Sequence, residues 1–223
     1  QRGKYHVEQA GGCDRMNILL VDDHAMLRAG LCRILVDDLQ ATVDEAANAT
    51  EALQQMAAQN RDLVLLDISL PGRSGLDLLP ELRATYPQTR VIVISSFDDQ
   101  QFAVRSFRDG AQAFLTKERA ARELLHAIKV VMSGRRYITA DLAEQLMSLL
   151  TLDNPKAPHE SLSGREFEVF RLIAAAKSPK EIAWQLAIST KTVSTYRARI
   201  LEKMDMASNA ELMQYAVRHG LVV

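Results

Sequence analysis

Four short apolar runs in the first half of the chain each end in a polar residue. Asn17-Ile18-Leu19-Leu20-Val21 runs into Asp22-Asp23, and Leu63-Val64-Leu65-Leu66 into Asp67. Val91-Ile92-Val93-Ile94 leads to Ser95, and Ala113-Phe114-Leu115-Thr116 to Lys117. Runs rich in Val, Ile and Leu, set between helix-like stretches, predict parallel strands buried on both faces. The predicted strands are 17–22, 62–67, 90–95 and 113–116, with a weaker, more polar edge strand over 42–46. Helical spacing predicts a helix over 24–38, with Met26, Leu27, Leu31, Ile34 and Leu35 on its apolar face. Asn48 followed by Glu51 predicts a capped helix start. Pro71-Gly72 marks a loop before a helix over 75–85. Two further helices, over 98–108 and 119–133, stop at Gly110 and Gly134.

The second half changes character. An amphipathic helix is expected over 139–150. Asp153-Asn154-Pro155 and Pro158 then break regular structure and read as a linker. Beyond them only helices are predicted, over 164–176, 179–186, 190–204 and 209–219, with connections short enough for a helix-turn-helix arrangement. Ser163 with Glu166 forms a capping-box pattern at the first. Ile182, Ala183 and Leu186 are expected to pack inward, as are Val193, Ile200 and Met204. On the last helix Leu212, Met213, Ala216 and Val217 recur at helical spacing, and either all belong to the core or some face outward. The architecture expected is α/β, a doubly wound five-stranded parallel sheet of flavodoxin-like kind in the order 2-1-3-4-5, with a second, smaller all-α domain. The boundaries are 16–135, a linker with its helix at 136–161, and 162–223.

Composition narrows the class without changing the architecture. Of 223 residues 48% are hydrophobic and 25% charged, as in an ordinary globular protein. No uncharged apolar stretch approaches the ~18 residues of a membrane span, and the N-terminus lacks a signal-peptide core, so a cytoplasmic location is expected. Residues 1–15 show no periodicity and are assigned no function; Met16 stands directly before the first strand. Cys13 and Cys32 offer neither a disulfide framework nor zinc-ligand spacing, and Cys32 is expected to be a buried small residue. Residues 16–135 carry 13 basic against 16 acidic residues, and residues 159–223 carry 9 against 7. The local density is more informative, since Lys191, Arg197, Arg199 and Lys203 lie close together with only Glu202 opposing them. Such a helix can neutralise phosphates, although a solvated basic face has the same composition.

Ligands of doubly wound sheets bind outside the carboxyl ends of the strands, where the strand order reverses. That rim would bring Asp22, Asp23 and Asp67 together with Ser95 and Lys117. Carboxylates so close cannot all stay ionised without a cation, and Mg²⁺ suits one or two of them plus phosphate oxygens. A strand-end Asp alone is usually a turn or cap, but in this set Asp67 is the candidate nucleophile, giving an acyl phosphate. Lys117 would neutralise developing charge and Ser95 would donate a hydrogen bond. His24 begins a helix and is expected to point away from the acidic pair.

These stretches resemble the receiver domain of two-component response regulators: Leu20-Val21-Asp22-Asp23-His24, Asp67-Ile68-Ser69-Leu70-Pro71-Gly72 with Gly75, Ser95, and Phe114-Leu115-Thr116-Lys117. The resemblance implies that Asp67 is the phosphoacceptor. Asp23, Asp67 and the Ser69 carbonyl would hold Mg²⁺, with Asp22 mostly through water, and Phe114 would be the switch aromatic. Glu118 follows Lys117 where many receivers have proline. Residues 162–223 resemble the LuxR-type helix-turn-helix of the NarL/FixJ regulators through Lys180-Glu181-Ile182-Ala183 and Lys191-Thr192-Val193-Ser194-Thr195-Tyr196-Arg197. Within that pattern Ser194, Thr195 and Ala198 occupy base-facing positions, and Lys191, Arg197, Arg199 and Lys203 are phosphate candidates. The segment before Pro179 departs from the family, which usually carries glycine at the turn and asparagine in place of Pro179.

The resemblance implies a phosphorylation-controlled DNA-binding transcriptional regulator, not a metabolic enzyme. Its partners would be a sensor histidine kinase, promoter DNA and a second copy of the chain. One alternative is a receiver acting through protein–protein contacts with a weak DNA module. A Mg²⁺-dependent aspartyl phosphatase is disfavoured, because Ser69 stands where its second Asp would be.

Overall fold

The computed structural model describes residues 15–96, 100–139, 143 and 157–221. The helix expected over 139–150 and most of the linker lie outside the described residues.

The five strands are β1 (Asn17–Val21), β2 (Thr42–Ala46), β3 (Leu63–Asp67), β4 (Arg90–Ser95) and β5 (Ala113–Thr116), in the order β2-β1-β3-β4-β5. Every pairing is parallel. Every residue of β3 is buried, whereas of β2 only Ala46 is, as its polar sequence suits an edge. The helices between them are α1 (Ala25–Leu39), α2 (Ala49–Ala58), α3 (Gly75–Thr85), α4 (Gln100–Arg108) and α5 (Lys117–Met132). They cover both faces of the sheet. Side chains alternate between the faces, so Leu19, Val64 and Val93 enter one core while Ile18, Leu65 and Ile92 enter the other. Asn48 caps α2 by accepting from Glu51 N at 2.9 Å, and Glu51 accepts from Ala47 N in return.

Two details of α1 differ from the sequence expectation. Leu31 and Leu35 are buried, but Met26, in the first turn of α1, is 91% exposed. Cys32 is half-buried against the core rather than enclosed.

The second domain comprises a short 3-10 helix (Pro158–Ser161), α6 (Gly164–Ala174), α7 (Pro179–Gln185), α8 (Thr190–Lys203) and α9 (Asn209–Arg218). Ile182, Ala183 and Leu186 are buried, and so are Val193, Ile200 and Met204, matching the predicted stripes. On α9 Leu212 and Ala216 are buried, Met213 is half-buried, and Val217 is 67% exposed. Helix α6 starts with a full capping box of Ser163 and Glu166. So does α7, where Ser178 caps and Pro179 takes the first helical position, whose N–H is unneeded. Where the family carries glycine, Ala176 adopts φ +59.

Helix α6 is the part of the second domain that meets the receiver. One side packs on α8 and α9, and the other on α3 of the receiver. Phe167 meets Phe102 of α4 edge to face at 5.2 Å, and the Arg105 guanidinium stacks over the same ring. The apolar core is therefore continuous from the sheet into the second domain.

Candidate phosphoryl site and nucleic-acid interface

Because β1 and β3 are neighbours, with Val21 paired to Leu66, the residues that follow them share one rim of the sheet. Asp22 and Asp67 are both buried there, and Asp23 is half-exposed beside them. Lys117, the first residue of α5, reaches across from β5. Its Nζ donates to Asp67 Oδ2 at 2.7 Å and lies 2.8 Å from Asp22 Oδ2. Ser69 N donates to Asp67 Oδ1 at 3.1 Å. Ser95 ends β4 in full burial, one strand over, in register with Thr116 of β5. Phe114 on β5 is half-buried and packs against Ala103, Val104 and Phe107 of α4.

Burial pushes the Asp67 carboxyl up to about 6; Lys117 draws it down and Asp22 pushes it up again. Burial also pulls the Lys117 ammonium down, but Asp67 and Asp22 outweigh it and hold Lys117 above the ordinary lysine value. The loop after Asp67 is tightly built. Gly75 N donates to Ile68 O at 2.8 Å, and a Cβ on Gly75 would come within 2.0 Å of the Asp67 carbonyl oxygen, so only glycine fits. Among the described residues no peptide bond is cis, including Lys117–Glu118.

His24 corrects the sequence expectation. Instead of pointing away, its Nδ1 lies 2.7 Å from Asp23 Oδ1, 3.2 Å from Asp22 Oδ1 and 3.2 Å from Lys117 Nζ. The backbone explains this: His24 is the residue before α1, and its N–H donates to Asp22 Oδ1, which turns the ring over the acidic pair. Ligand atoms of Asp22, Asp23, His24 and Asp67 all lie within 4.8 Å of one another. Three carboxylates face one ammonium, and the buried Ser69 Oγ has no hydrogen bond among the described residues. The donor set is rich in hard oxygen and in uncompensated negative charge, which fits a divalent cation such as Mg²⁺.

In the second domain α8 turns one face outward. Lys191, Ser194, Thr195, Ala198 and Arg199 are exposed, while Val193 and Ile200 are buried behind them. Ser189 caps this helix by accepting from Thr192 N at 3.0 Å. Ser194 and Thr195 hydroxyls donate to the carbonyls of Thr190 and Lys191. Two basic side chains are already engaged. Arg197 Nε donates to Asn209 Oδ1 at 2.6 Å, and Lys203 Nζ donates to Glu166 Oε2 at 2.6 Å. The receiver meets α6, and α8 lies on that helix's other side.

Sequence reasoning missed the contacts between the domains. Ser74 Oγ and Glu168 Oε1 are 2.5 Å apart across the boundary, Gly164 N donates to Asp77 Oδ1, and Arg105 donates to the Leu162 carbonyl. The only signal along the chain was the spacing of Arg165 and Glu168, which marks an ion pair on one helix and nothing about the receiver.

No helix of the described residues is long and apolar enough to cross a membrane. Residues 18–129 match the response regulator receiver domain, and residues 160–216 match the bacterial regulatory proteins of the luxR family. The chain is similar to the response regulator GacA of Pseudomonas protegens, with 34% identity over 93% of this chain and 98% of that protein. It is also 34% identical to the response regulator UvrY of Escherichia coli K12, over 92% of this chain and 95% of the relative. Among solved structures, a LuxR-family two-component response regulator from Aurantimonas superposes with a TM-score of 0.56 at 29% identity, covering 62% of this chain and 99% of that one. The fold is shared with RcsB from Salmonella enterica serovar Typhimurium bound to the promoter rprA. There the TM-score is 0.57 at 22% identity, over 90% of this chain and 98% of the other. With both domains matched and relatives aligned along nearly their whole length, the chain belongs to the NarL/FixJ-type response regulators, phosphorylation-controlled DNA-binding transcription regulators that join a receiver to a LuxR-type helix-turn-helix.

Proposed function

We propose that Asp67 accepts a phosphoryl group from a sensor histidine kinase and that the phosphorylated chain binds promoter DNA as a dimer in the cytoplasm. The observation that carries this reading is the convergence of Lys117 on Asp67 and Asp22 at the carboxyl end of the sheet. Mg²⁺ would be held by Asp23, Asp67 and the Ser69 carbonyl, with Asp22 largely through water, and when bound it would screen the carboxylates from the incoming phosphoryl oxygens. Asp67 supplies the nucleophilic oxygen. Its bond to phosphorus forms as the donor's bond breaks, leaving an acyl phosphate. Lys117 holds a positive charge where the phosphoryl oxygens arrive, and the Ser95 hydroxyl donates to one of them. Phe114, packed on α4, would carry the effect of that new bond to the helix that touches the second domain. The chemistry serves a switch and not the turnover of a metabolite.

In α8, Ser194, Thr195 and Ala198 would face bases while Lys191, Arg197, Arg199 and Lys203 meet phosphates. The exposure of Ser194, Thr195, Ala198 and Arg199 supports DNA binding over a receiver working by protein contacts alone. Asp67→Asn keeps the shape and removes the nucleophile, so it should abolish labelling from a phosphorylated kinase or from acetyl phosphate. Chelation of Mg²⁺ should do the same to the native chain. Labelling of the variant at the native level would overturn the assignment.

A further inference from the structure

At the residue before α1 the chain places an imidazole where other helices of the protein place a capping oxygen. Asn48, Ser74, Thr116 and Ser163 each cap a helix through the side chain, whereas His24 makes no such bond. Its ring turns into the phosphoryl site instead. The loop that carries it is held from two sides. His24 N donates to Asp22 Oδ1 at 2.7 Å, and Arg28, one turn on, donates to the Asp22 carbonyl and to Glu45 Oε2. The ring itself is 61% exposed, so burial does not dictate its orientation.

Nδ1 is the atom that faces inward, 2.7 Å from Asp23 Oδ1 and 3.2 Å from Asp22 Oδ1. Lys117 Nζ meets Asp67 Oδ2 at 2.7 Å and Asp22 Oδ2 at 2.8 Å, and Nδ1 lies 3.2 Å away as a third neighbour. An ammonium has protons and no lone pair, so the nitrogen beside it is placed as an acceptor with its lone pair turned into the site. That lone pair is the one a metal ion takes from a neutral imidazole. The spacing also suits ligation. Neighbouring ligands of an octahedral ion with bonds of about 2.1 Å stand about 3 Å apart, close to the separations of Nδ1 from the two carboxylates. Three carboxylates against one ammonium leave two negative charges, which a divalent ion balances and a neutral imidazole does not alter.

We propose that His24 Nδ1 joins Asp23, Asp67 and the Ser69 carbonyl as a ligand of the divalent cation, and that this nitrogen makes the receiver favour a first-row transition ion such as Mn²⁺ over Mg²⁺. Mg²⁺ is a hard ion that takes oxygen and keeps its waters, so an imidazole adds little to its affinity. Transition ions gain from the same nitrogen, in the order in which their affinity for such ligands rises from Mn²⁺ upward. The inference rests on the cation site proposed above and adds one ligand to it. It concerns binding alone and can be tested with neither phosphoryl group nor DNA.

The test is pulsed electron paramagnetic resonance of the full, unphosphorylated chain loaded with Mn²⁺. The native echo should carry the nitrogen modulation of a bound imidazole, and excess Mg²⁺ should remove it by displacing the ion. His24→Gln should still bind Mn²⁺ but lose the nitrogen modulation. In calorimetric titrations the same substitution should weaken Mn²⁺ about tenfold and Mg²⁺ by less than about threefold. Circular dichroism of the variant checks that α1 is intact. Bound Mn²⁺ without nitrogen modulation, or equal losses for the two ions, would overturn the proposal while leaving the oxygen ligands in place, and would make His24 an ion-pair partner of Asp23. Nitrogen modulation that survives in His24→Gln would overturn it as well, since another histidine would be the ligand. A native chain that binds neither ion would overturn both this proposal and the Mg²⁺ assignment on which it rests, so the two failures remain distinguishable.

Discussion

At the scale of single residues the energetics are set by backbone conformation and by local burial. Ala176 sits at φ +59, in the left-handed region that glycine enters without a Cβ penalty. Ala176→Gly should therefore stabilise the second domain by up to ~1 kcal/mol, read as a higher denaturant midpoint with an unchanged slope. His159 Nδ1 lies 2.7 Å from the Tyr215 hydroxyl, in a ring cluster with Phe167 and His219. Burial lowers its imidazole to about 4; Glu160 opposes the fall, and His219, Arg108 and Arg105 add to it. The unfolded chain, with an ordinary value near ~6.5, takes up the proton first. Stability on this account is present above ~6.5 and is lost as pH falls toward about 4. The loss is on the order of 1–2 kcal/mol once discounted for partial exposure. His159→Gln should flatten that fall in urea titrations between pH 4 and 7, at the cost of a lower plateau from the lost Tyr215 contact.

At the scale of elements, α8 separates two kinds of contact. Lys191 is exposed in the first turn, whereas Lys203 is engaged in an ion pair with Glu166 and Arg197 in a hydrogen bond to Asn209. Lys191→Ala should weaken binding to all sequences alike and lower the salt slope by about one unit. Thr195→Ala should instead change the ranking of sites, since base contacts specify and phosphate contacts position. Gel-shift titrations over several salt concentrations and several sites would distinguish them. Circular dichroism of both variants establishes that the helix is intact. Helix starts were legible along the chain because capping is local: Asn48 with Glu51 and Ser163 with Glu166 are bonded as their spacing implied. The orientation of His24 was not legible. It depends on a backbone bond to Asp22 and on Lys117, which arrives from 93 positions away.

At the scale of the whole molecule, α9 has two faces with different duties. Leu212 has no exposure and belongs to the core, so Leu212→Ala should cost ~2–5 kcal/mol and lower the thermal midpoint. Val217 is 67% exposed, so Val217→Asp should leave monomer stability within ~0.5 kcal/mol. If this outward face joins two copies on DNA, the same variant should weaken dimerisation and DNA binding together in the phosphorylated protein. Sedimentation and DNA titration with a phosphoryl mimic would show it. A Val217→Asp chain that dimerises normally would place the interface elsewhere.

What the sequence determined by itself is what short range dictates. Short continuous apolar runs specify four buried strands, and a more polar stretch the edge strand. Turn and cap residues set the ends of helices to within one or two positions. Polar residues at strand ends point to one rim because parallel strands share a direction. The tertiary structure decided what depends on chains meeting from afar. Met26 is exposed although it lies on an apolar stripe, because a helical face says which residues align and not how far the partner surface extends. Glu166, Arg165 and Glu168 are buried although charged, because α6 is covered on both sides by surfaces its own sequence does not specify. Whether such a carboxyl is solvated or sealed is settled by the surfaces that cover α6 on both sides, which only the tertiary structure brings together.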